Sequence, residues 1–206
     1  MTVIVDYGVG NLFSLKSSLK YIGVDSIISG DPEMIANADR IILPGVGAFA
    51  DARAKLKVNG LDELVINEAG SGKPLMGICL GMQLLFDRSY EYGLTEGLGL
   101  IKGEVRSISD VIPKGYKIPH IGWNSLRLSE YGRKSEVFKY TSEGDYVYFV
   151  HSFAGMDCED SLIAATEYGT FLTAAVARDN VFGMQFHPEK SGESGLKILK
   201  AFCEIQ

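Results

Sequence analysis

Short apolar runs alternate with stretches of helical periodicity in the first half of the chain. A strand is predicted at residues 3–5, and the next segment places Leu12, Leu15, Leu19 and Ile22 on one helical face. This alternation is typical of a parallel sheet covered by helices, because a crossover between parallel strands is usually helical. Further strands are predicted at residues 24–28, 40–43 and 75–79, and helices near 31–37, 48–57 and 61–68.

The pattern changes from residue 103 onward, where strands rich in β-branched and aromatic residues follow one another. Strands are predicted at residues 103–108, 146–150, 171–177 and 181–186, and an amphipathic helix at 192–204. We therefore expect an α/β fold with a mostly parallel central sheet, helices on both faces and an antiparallel extension. Because no linker, repeat or low-complexity segment interrupts the pattern, residues 1–206 are interpreted as a single domain.

The composition of the chain indicates which partners and which cellular environment are expected. The chain of 206 residues has a formal net charge of -6, which argues against a nucleic-acid partner, since that affinity comes from clustered Lys and Arg. No apolar run approaches the ~20 residues that cross a bilayer, so no membrane association and a cytoplasmic location are expected. The three cysteines, Cys79, Cys158 and Cys203, include no close pair, and neither a disulfide nor a metal site is expected.

The segment around Cys79 has the spacing of a nucleophile elbow. A buried strand runs into a predicted amphipathic helix, and Gly77 and Gly81 flank the cysteine at two residues on either side. Glycines there permit the tight strand-to-helix turn that exposes a nucleophile, and a helix N-terminus favours the reactive thiolate. An isolated cysteine is more often a small core residue. However, a glycine in the first helical turn costs about 1 kcal/mol relative to alanine, so the pair of glycines favours the nucleophile.

A thiol nucleophile needs a base that later protonates the leaving group, and the candidates are His120, His151 and His187. His187 follows a predicted buried strand. Glu189, two residues on, projects to the same side of an extended backbone and would orient the imidazole as in a catalytic triad. By itself His-Pro-Glu is more often a strand end or a turn. Together with the cysteine elbow, it predicts a triad of Cys79, His187 and Glu189.

Acyl transfer also needs backbone N–H donors for the developing oxyanion. The Leu80 N–H is one candidate, and a second is Val46 or Gly47 in the loop Pro44-Gly45-Val46-Gly47, which a simple β-turn explains nearly as well. A superficial dinucleotide fingerprint at residues 8–11 lacks its third glycine, since Phe13 stands there. No cofactor is therefore expected.

Together these segments resemble the class I, or triad-type, glutamine amidotransferase family, whose signature is a Gly-x-Cys-x-Gly elbow followed much later by His-Pro-Glu. The resemblance covers essentially the whole chain. Within that family the chain resembles the glutaminase subunits of imidazole glycerol phosphate synthases through four further segments, at residues 6–12, 44–49, 120–124 and 148–153.

The resemblance implies a role for each candidate residue. Cys79 attacks the side-chain amide of glutamine, His187 transfers protons and Glu189 orients it, giving a glutamyl thioester that water hydrolyses. The residues that would hold the rest of the substrate are Gln83, Glu91, Ser152 and Phe153. Many family members carry tyrosine at the last position, so this chain departs from the pattern there and no hydroxyl contact is expected from it.

The resemblance also implies a heterodimer with a cyclase subunit shaped as a (β/α)8 barrel. The cyclase receives the ammonia through an internal channel and makes imidazole glycerol phosphate and AICAR ribonucleotide in histidine biosynthesis. A partner is also expected because ammonia in water is mostly protonated at neutral pH, which removes its nucleophilicity. The residues expected on the docking face are Tyr7, Asn11, Lys16 and Trp123. A lone tryptophan often anchors an interface, but a core position explains Trp123 equally well.

Other interpretations remain open. Within the same chemistry, the chain could be the glutaminase of aminodeoxychorismate, anthranilate or pyridoxal phosphate synthesis. On the same scaffold, it could be a cysteine peptidase or a cysteine hydrolase of γ-glutamyl substrates, or a binding module without activity. We further expect that the oxyanion loop of the free subunit is not yet turned toward the site, since an unregulated glutaminase would waste glutamine.

Overall fold

The computed structural model describes residues 1–205. The strands are β1 (Thr2–Val5), β2 (Ser26–Ser29), β3 (Arg40–Leu43), β4 (Leu75–Ile78), β5 (Phe86–Ser89), β6 (Thr95–Glu96), β7 (Ile101–Ser107), β8 (His120–Leu128), β9 (Tyr146–His151), β10 (Phe153–Met156), β11 (Leu162–Glu167), β12 (Phe171–Arg178) and β13 (Val181–Met184). The α-helices are α1 (Leu12–Tyr21), α2 (Pro32–Ala36), α3 (Phe49–Lys57), α4 (Leu61–Gly70), α5 (Leu80–Leu84) and α6 (Gly192–Cys203). Short 3-10 turns lie at Val58–Gly60, Ile108–Asp110, Gly132–Lys134, Glu136–Phe138, Glu159–Ser161 and Pro188–Lys190.

A mixed sheet of nine strands, in the order β2-β1-β3-β4-β13-β12-β11-β8-β9, forms the centre of the molecule. The first five strands in this order pair in parallel, and β12, β11, β8 and β9 continue the sheet with antiparallel pairing. The predicted α/β class, with a parallel centre and an antiparallel extension, is confirmed. The parallel part brings the carboxyl ends of β1, β3, β4 and β13 to one edge, where ligand sites of such sheets lie.

Both faces of the sheet are covered, because successive side chains of each strand point to opposite sides. Val3 and Val5 pack into the layer that contains α2, α3 and α4. Ile4 packs on the other side, with α1 and α6. The predicted apolar face of α1 is the face that packs on the sheet, since Leu15 and Leu19 are completely buried.

A second sheet, in the order β10-β7-β5-β6, was only partly predicted. Its β7 strand overlaps the expected strand at residues 103–108, but β5, β6 and β10 were not expected. These strands are short, and β6 has only two residues, so no period of two could be recognised in the sequence. Phe86 of β5 and Val105 of β7 nevertheless join the core beside α3 and α4.

Several predicted boundaries move by one to a few residues, which is usual at element ends. The second strand begins at Ser26, and β13 ends at Met184 rather than at residue 186. A larger difference concerns α5, which was expected to be amphipathic. This expectation was wrong, because α5 has only five residues and all of them are buried.

Three glycines allow backbone segments to touch around the β4-to-α5 turn. A Cβ atom at Gly81 would overlap the carbonyl oxygen of Leu43, and a Cβ at Gly45 would lie 2.6 Å from the Gly81 nitrogen. At Gly77 a Cβ would lie 2.7 Å from the Met82 nitrogen. The need for close approach that the flanking glycines indicated is therefore a contact between the turn and the end of β3.

Within residues 1–205, no helix is both long enough and apolar enough to cross a membrane.

Replacing Gly81 by alanine should destabilise the fold by about 2–3 kcal/mol, the range for overpacked sites, because the new Cβ overlaps the backbone at Leu43. The free energy of unfolding is measured by urea denaturation. Gly70→Ala is a matched control, since its Cβ meets no atom within 4 Å and alanine is the better helix former by about 0.5–1 kcal/mol. Equal stability of Gly81→Ala and the wild type would contradict the packing described for the elbow.

Candidate active site

A cleft of about 370 Å³ opens where β4 and β13 end. It brings together most residues that the sequence singled out, from four separate parts of the chain. Those that line it are Val46, Gly47, Cys79, Leu80, Gln83, Glu91, Ser152, Phe153 and His187. Glu189 does not line the cleft but lies behind His187. Parallel strands end at this edge, so residues distant in sequence meet here.

Cys79 occupies the tight turn between β4 and α5. Its φ of 54° and ψ of -111° place a non-glycine residue in a strained region of the backbone, which surrounding contacts must hold. The Cys79 N–H donates to the Met184 carbonyl at 2.7 Å, and the Gln83 N–H donates to the Cys79 carbonyl at 3.1 Å. The side chain reaches the cleft although the residue is only 8% exposed.

His187 and Glu189 form a buried pair beside the sulfur. The His187 Nδ1 lies 2.8 Å from the Glu189 Oε1, and both side chains are 3% exposed. This contact fixes the ring so that Nε2 is free for Cys79. The backbone is held as well, since the His187 N–H donates to the Tyr148 carbonyl at 3.0 Å and the Ser191 hydroxyl donates to the His187 carbonyl at 2.6 Å.

Electrostatics separates His187 from the other histidine in the cleft. Burial alone would lower the pKa of His187, but hydrogen bonds to Cys79 and Glu189 outweigh it and raise the pKa to about 9. His151 also lines the cleft, but burial, together with the neighbouring His120 and His187, lowers its pKa to about 4. His151 is therefore neutral near pH 7, and only His187 has a partner that stabilises an imidazolium.

His120 lies deeper and faces away from the sulfur. Its Nδ1 is 3.0 Å from the His151 Nε2, and its Nε2 is 2.9 Å from the Asn124 Oδ1. Burial lowers the pKa of His120. The three histidines thus divide into one that interacts with the sulfur and two that form a structural contact between β8 and β9.

The loop between β3 and α3 lies against the start of α5. Val46 and Gly47 face the cleft with Leu80, and the φ of Gly47 is +98°, a conformation that favours glycine. The Tyr7 hydroxyl donates to the Pro44 carbonyl at 2.7 Å. Burial, and then the nearby Cys79, raise the pKa of Tyr7, so its hydroxyl remains a donor that restrains the loop.

Two of the expected substrate-binding residues already have protein partners. The Gln83 Nε2 donates to the Phe153 carbonyl and to the Gln185 Oε1, both at 3.0 Å. The Glu91 Oε2 accepts a hydrogen bond from the Phe49 N–H at 2.6 Å, at the first residue of α3. Glu91 therefore connects the cleft to the helix that follows the predicted oxyanion loop, a link that was not visible in the sequence.

The residues expected on the docking face divide into exposed and buried ones. Trp123 is 52% exposed, Lys16 is exposed and Asn11 is half-buried. Tyr7 is only 7% exposed, and its contact with Pro44 suits a role inside the fold better than one at an interface.

Five residues near the sulfur or in the cleft were not predicted as site residues. Gln185 lies 3.8 Å from the Cys79 Sγ through its Nε2, and Pro119, Val150, His151 and Lys190 line the cleft. The period-two alternation that linked His187 to Glu189 also extends backward to Gln185, so this signal was available. Within the described part of the chain, no group of three or more His, Cys, Asp or Glu side chains is arranged to hold a metal ion.

Comparisons with known proteins agree with this geometry. The family model described as glutamine amidotransferase class-I matches residues 3–205. The chain is similar to the imidazole glycerol phosphate synthase subunit HisH of Caldanaerobacter subterraneus subsp. tengcongensis, with 50% identity covering 100% of this chain and 98% of that protein. The subunit of the same name from Lactococcus lactis subsp. lactis is 49% identical, covering 98% and 97%. The solved structure of PurLQS from Thermotoga maritima has the same fold, with a TM-score of 0.75 and 22% identity over 98% of this chain and 96% of that one.

Glu189→Gln should lower the pKa of His187 from about 9, because the neutral amide no longer stabilises the imidazolium. The pKa is measured by NMR titration of the imidazole resonances. Glu193→Gln, which neutralises an exposed carboxylate in α6, is the matched control variant. A His187 that titrates at the same pH in the wild type and in Glu189→Gln would contradict the pairing.

The same shift predicts how stability depends on pH. The folded-state pKa of His187, about 9, lies above the ordinary histidine value of 6.5, so the folded state binds the proton more tightly. This contribution to stability is fully present below about pH 6.5 and is lost as the pH rises through 9. Urea denaturation between pH 6 and 10 should show a smaller loss for Glu189→Gln than for the wild type.

Proposed function

This chain belongs to the class I glutamine amidotransferase family, whose model spans residues 3–205, and we propose that Cys79, His187 and Glu189 hydrolyse glutamine to glutamate and ammonia. One observation carries the assignment. The Cys79 sulfur and the His187 imidazole line the same cleft, and Glu189 lies 2.8 Å from the far nitrogen of that imidazole. This is the relation of nucleophile, base and orienting carboxylate that covalent acyl transfer requires.

The reaction follows from these positions. The Cys79 thiolate attacks the carboxamide carbon of glutamine, and the carbonyl oxygen becomes an oxyanion. When the tetrahedral intermediate collapses, the imidazolium of His187 protonates the leaving nitrogen, and ammonia departs from a glutamyl thioester. His187, now neutral, removes a proton from water as the water attacks the thioester, and glutamate is released. Glu189 keeps the ring in one orientation throughout.

The remaining cleft residues suit the other groups of glutamine. The Leu80 N–H, at the start of α5, and an N–H of Val46 or Gly47 supply the oxyanion donors, since all three residues line the cleft. Glu91 is the anionic partner of the α-ammonium, through the oxygen that does not bind Phe49. Ser152 and Phe153 border the site and contact the backbone part of the substrate, with no hydroxyl supplied by Phe153.

The chain is the glutaminase subunit of an imidazole glycerol phosphate synthase, in histidine biosynthesis, and works with a second subunit. The two HisH subunits described above support this assignment, since their similarity to this chain covers at least 97% of each relative. We propose that the second subunit is a cyclase with a (β/α)8 barrel and that ammonia reaches it through an internal channel. A cytoplasmic location is part of the same proposal.

The docking face lies at the edge of the sheet where the cleft opens. Trp123 packs 6.0 Å from the Tyr148 ring, and the Tyr148 carbonyl is the acceptor for the His187 N–H. Large apolar side chains are also exposed near the starts of α1 and β8, with Phe13 at 83% and Ile121 at 57%. Such exposure on a folded chain is typical of a protein interface. Asn11 and Lys16 stand beside Phe13 in the sequence.

A cysteine hydrolase of γ-glutamyl peptides is the second candidate function. It would act without a partner and on longer substrates, whereas the glutaminase subunit is expected to have little activity alone. Assay of the isolated chain with γ-glutamyl peptides distinguishes the two, because ready turnover there would favour the hydrolase.

Cys79→Ala should abolish the release of glutamate from glutamine, since no other sulfur lines the cleft in the part of the chain that is described. Turnover is measured with the cyclase subunit and its phosphorylated substrate present. Cys158→Ala is the matched control, because Cys158 is buried in a different place, where burial raises its pKa to about 11. Full activity of Cys79→Ala would remove Cys79 from the mechanism.

Trp123→Ala should weaken the complex with the cyclase subunit by tenfold or more in Kd, as expected when an aromatic anchor worth about 1.4 kcal/mol or more is removed. Calorimetric titration of one subunit with the other measures the Kd. Tyr131→Ala is the control, since Tyr131 is 72% exposed but lies near Asp179, at the opposite end of β13. A Kd that is unaffected by Trp123→Ala but raised by Tyr131→Ala would contradict the proposed docking face and place it near Tyr131 instead.

A further inference from the structure

Two buried glutamines connect the proposed substrate site to the nucleophile. Gln185 is completely buried, and Gln83 is 5% exposed. The Gln83 amide donates to the Gln185 Oε1 at 3.0 Å, and the Gln185 Nε2 lies 3.8 Å from the Cys79 Sγ. A buried amide without partners is destabilising, so these contacts account for the presence of two such side chains in an apolar layer.

The direction of this chain of contacts is determined at one end by the backbone. The Phe153 carbonyl can only accept, so the Gln83 amide must turn its NH2 group toward it, at 3.0 Å. The second N–H of the same NH2 group then points at Gln185, whose oxygen must face it. The Gln185 NH2 group is thereby left facing the Cys79 sulfur. Reversal of Gln83 would place its oxygen against two acceptors, and reversal of Gln185 would place two NH2 groups against each other.

This orientation presents a donor, and not an acceptor, to the sulfur. A thiolate accepts hydrogen bonds and a thiol donates them, so a fixed N–H favours the thiolate. The opposite influence is also present, because the Val150 carbonyl lies 4.0 Å from the same sulfur and can accept only from a thiol. Gln185 is the side-chain amide whose donor balances this carbonyl.

We propose that Gln185 is a positioning residue that holds the Cys79 thiolate through its Nε2, and that Gln83 fixes the direction of the Gln185 amide. The catalytic importance of this contact rests on the proposed glutaminase function. The proposal also gives Gln83 two tasks, because both of its N–H bonds are directed at the protein and only its carbonyl oxygen remains to face a donor of the substrate.

Other titratable groups also affect the Cys79 sulfur, and their charges must stay constant in any test of the proposal. The titratable groups that contact Cys79 or line its cleft are Tyr7, Glu91, His151, His187 and Lys190. Of these, His187 has the strongest interaction with the thiol, through a hydrogen bond as well as charge. A change at Gln185 alters none of their charges, so a shift in thiol titration reports the amide donor.

The test is the pH dependence of Cys79 alkylation by iodoacetamide in the full chain, followed by mass spectrometry of the Cys79 peptide. Gln185→Met has similar length and no donor, and it should move the midpoint upward by about one pH unit or more, the shift expected for loss of a hydrogen bond to a charged group. Gln185→Leu also lacks a donor, adds no charge and should move the midpoint about as far. It also serves if Gln185→Met does not fold.

Glutaminase kinetics of the complex with the cyclase subunit give a second readout. Gln185→Met should lower kcat about tenfold, by the factor that one pH unit of thiolate population represents, with KM within a factor of about three. Gln83→Met is the paired variant. This variant removes the contact to Gln185 but leaves the sulfur untouched, so it should shift the alkylation midpoint less than Gln185→Met does. Because Gln83 also belongs to the proposed substrate site, KM should rise strongly.

An alkylation midpoint that is the same in the wild type, Gln185→Met and Gln185→Leu would overturn the proposal, whatever the kinetics. Alkylation requires neither glutamine nor the cyclase subunit, so this outcome is separate from a failure of the proposed function. If the wild-type complex does not hydrolyse glutamine but the midpoint still rises in both variants, the amide donor is supported and the glutaminase assignment is wrong.

Discussion

Backbone contact at the β4-to-α5 turn is the constraint on which the site depends. Gly81 lies so close to the carbonyl of Leu43 that no side chain fits between them, and this contact joins the nucleophile turn to the loop that follows β3. The strained φ of 54° at Cys79 persists because β4, paired with β3 and β13, holds one end of the turn, and the contact between Gly81 and Leu43 holds the other. A looser turn would separate the sulfur from both the imidazole and the oxyanion loop.

The sequence predicted the parallel half of the fold because each strand there is buried on both faces and each is followed by a helix. It also predicted that Cys79, His187 and Glu189 would lie together, since the spacing of Gly77, Cys79 and Gly81 and the alternation of His187 and Glu189 are local properties. The small sheet of β5, β6, β7 and β10 was largely missed, because its strands are short and depend on tertiary pairing. The helix after Cys79 was misjudged for a related reason, since five residues are too few to show a period.

Contacts between distant residues could not be read from local patterns at all. The hydrogen bond between Tyr7 and Pro44, and that between Glu91 and Phe49, join residues more than 30 positions apart. Tyr7 was therefore expected at an interface, although its side chain is buried. The same limit applies to Gln185, whose residue type is unremarkable until its amide is seen between Gln83 and the sulfur. These contacts add to those of His187 with Cys79 and Glu189 in orienting the groups around the sulfur.

The carboxylate of Glu91 belongs to two structures at once, since it stands in the cleft and also binds the first N–H of α3. The interaction energy of the Glu91 carboxylate therefore affects two equilibria. One is ligand binding in the cleft, and the other is the ordering of the segment before α3. Thermodynamic reciprocity requires that a ligand favouring one arrangement of that segment is itself bound more tightly when the segment is already so arranged. A single acidic side chain thus couples the cleft to the segment that precedes α3, and no separate relay between them is needed.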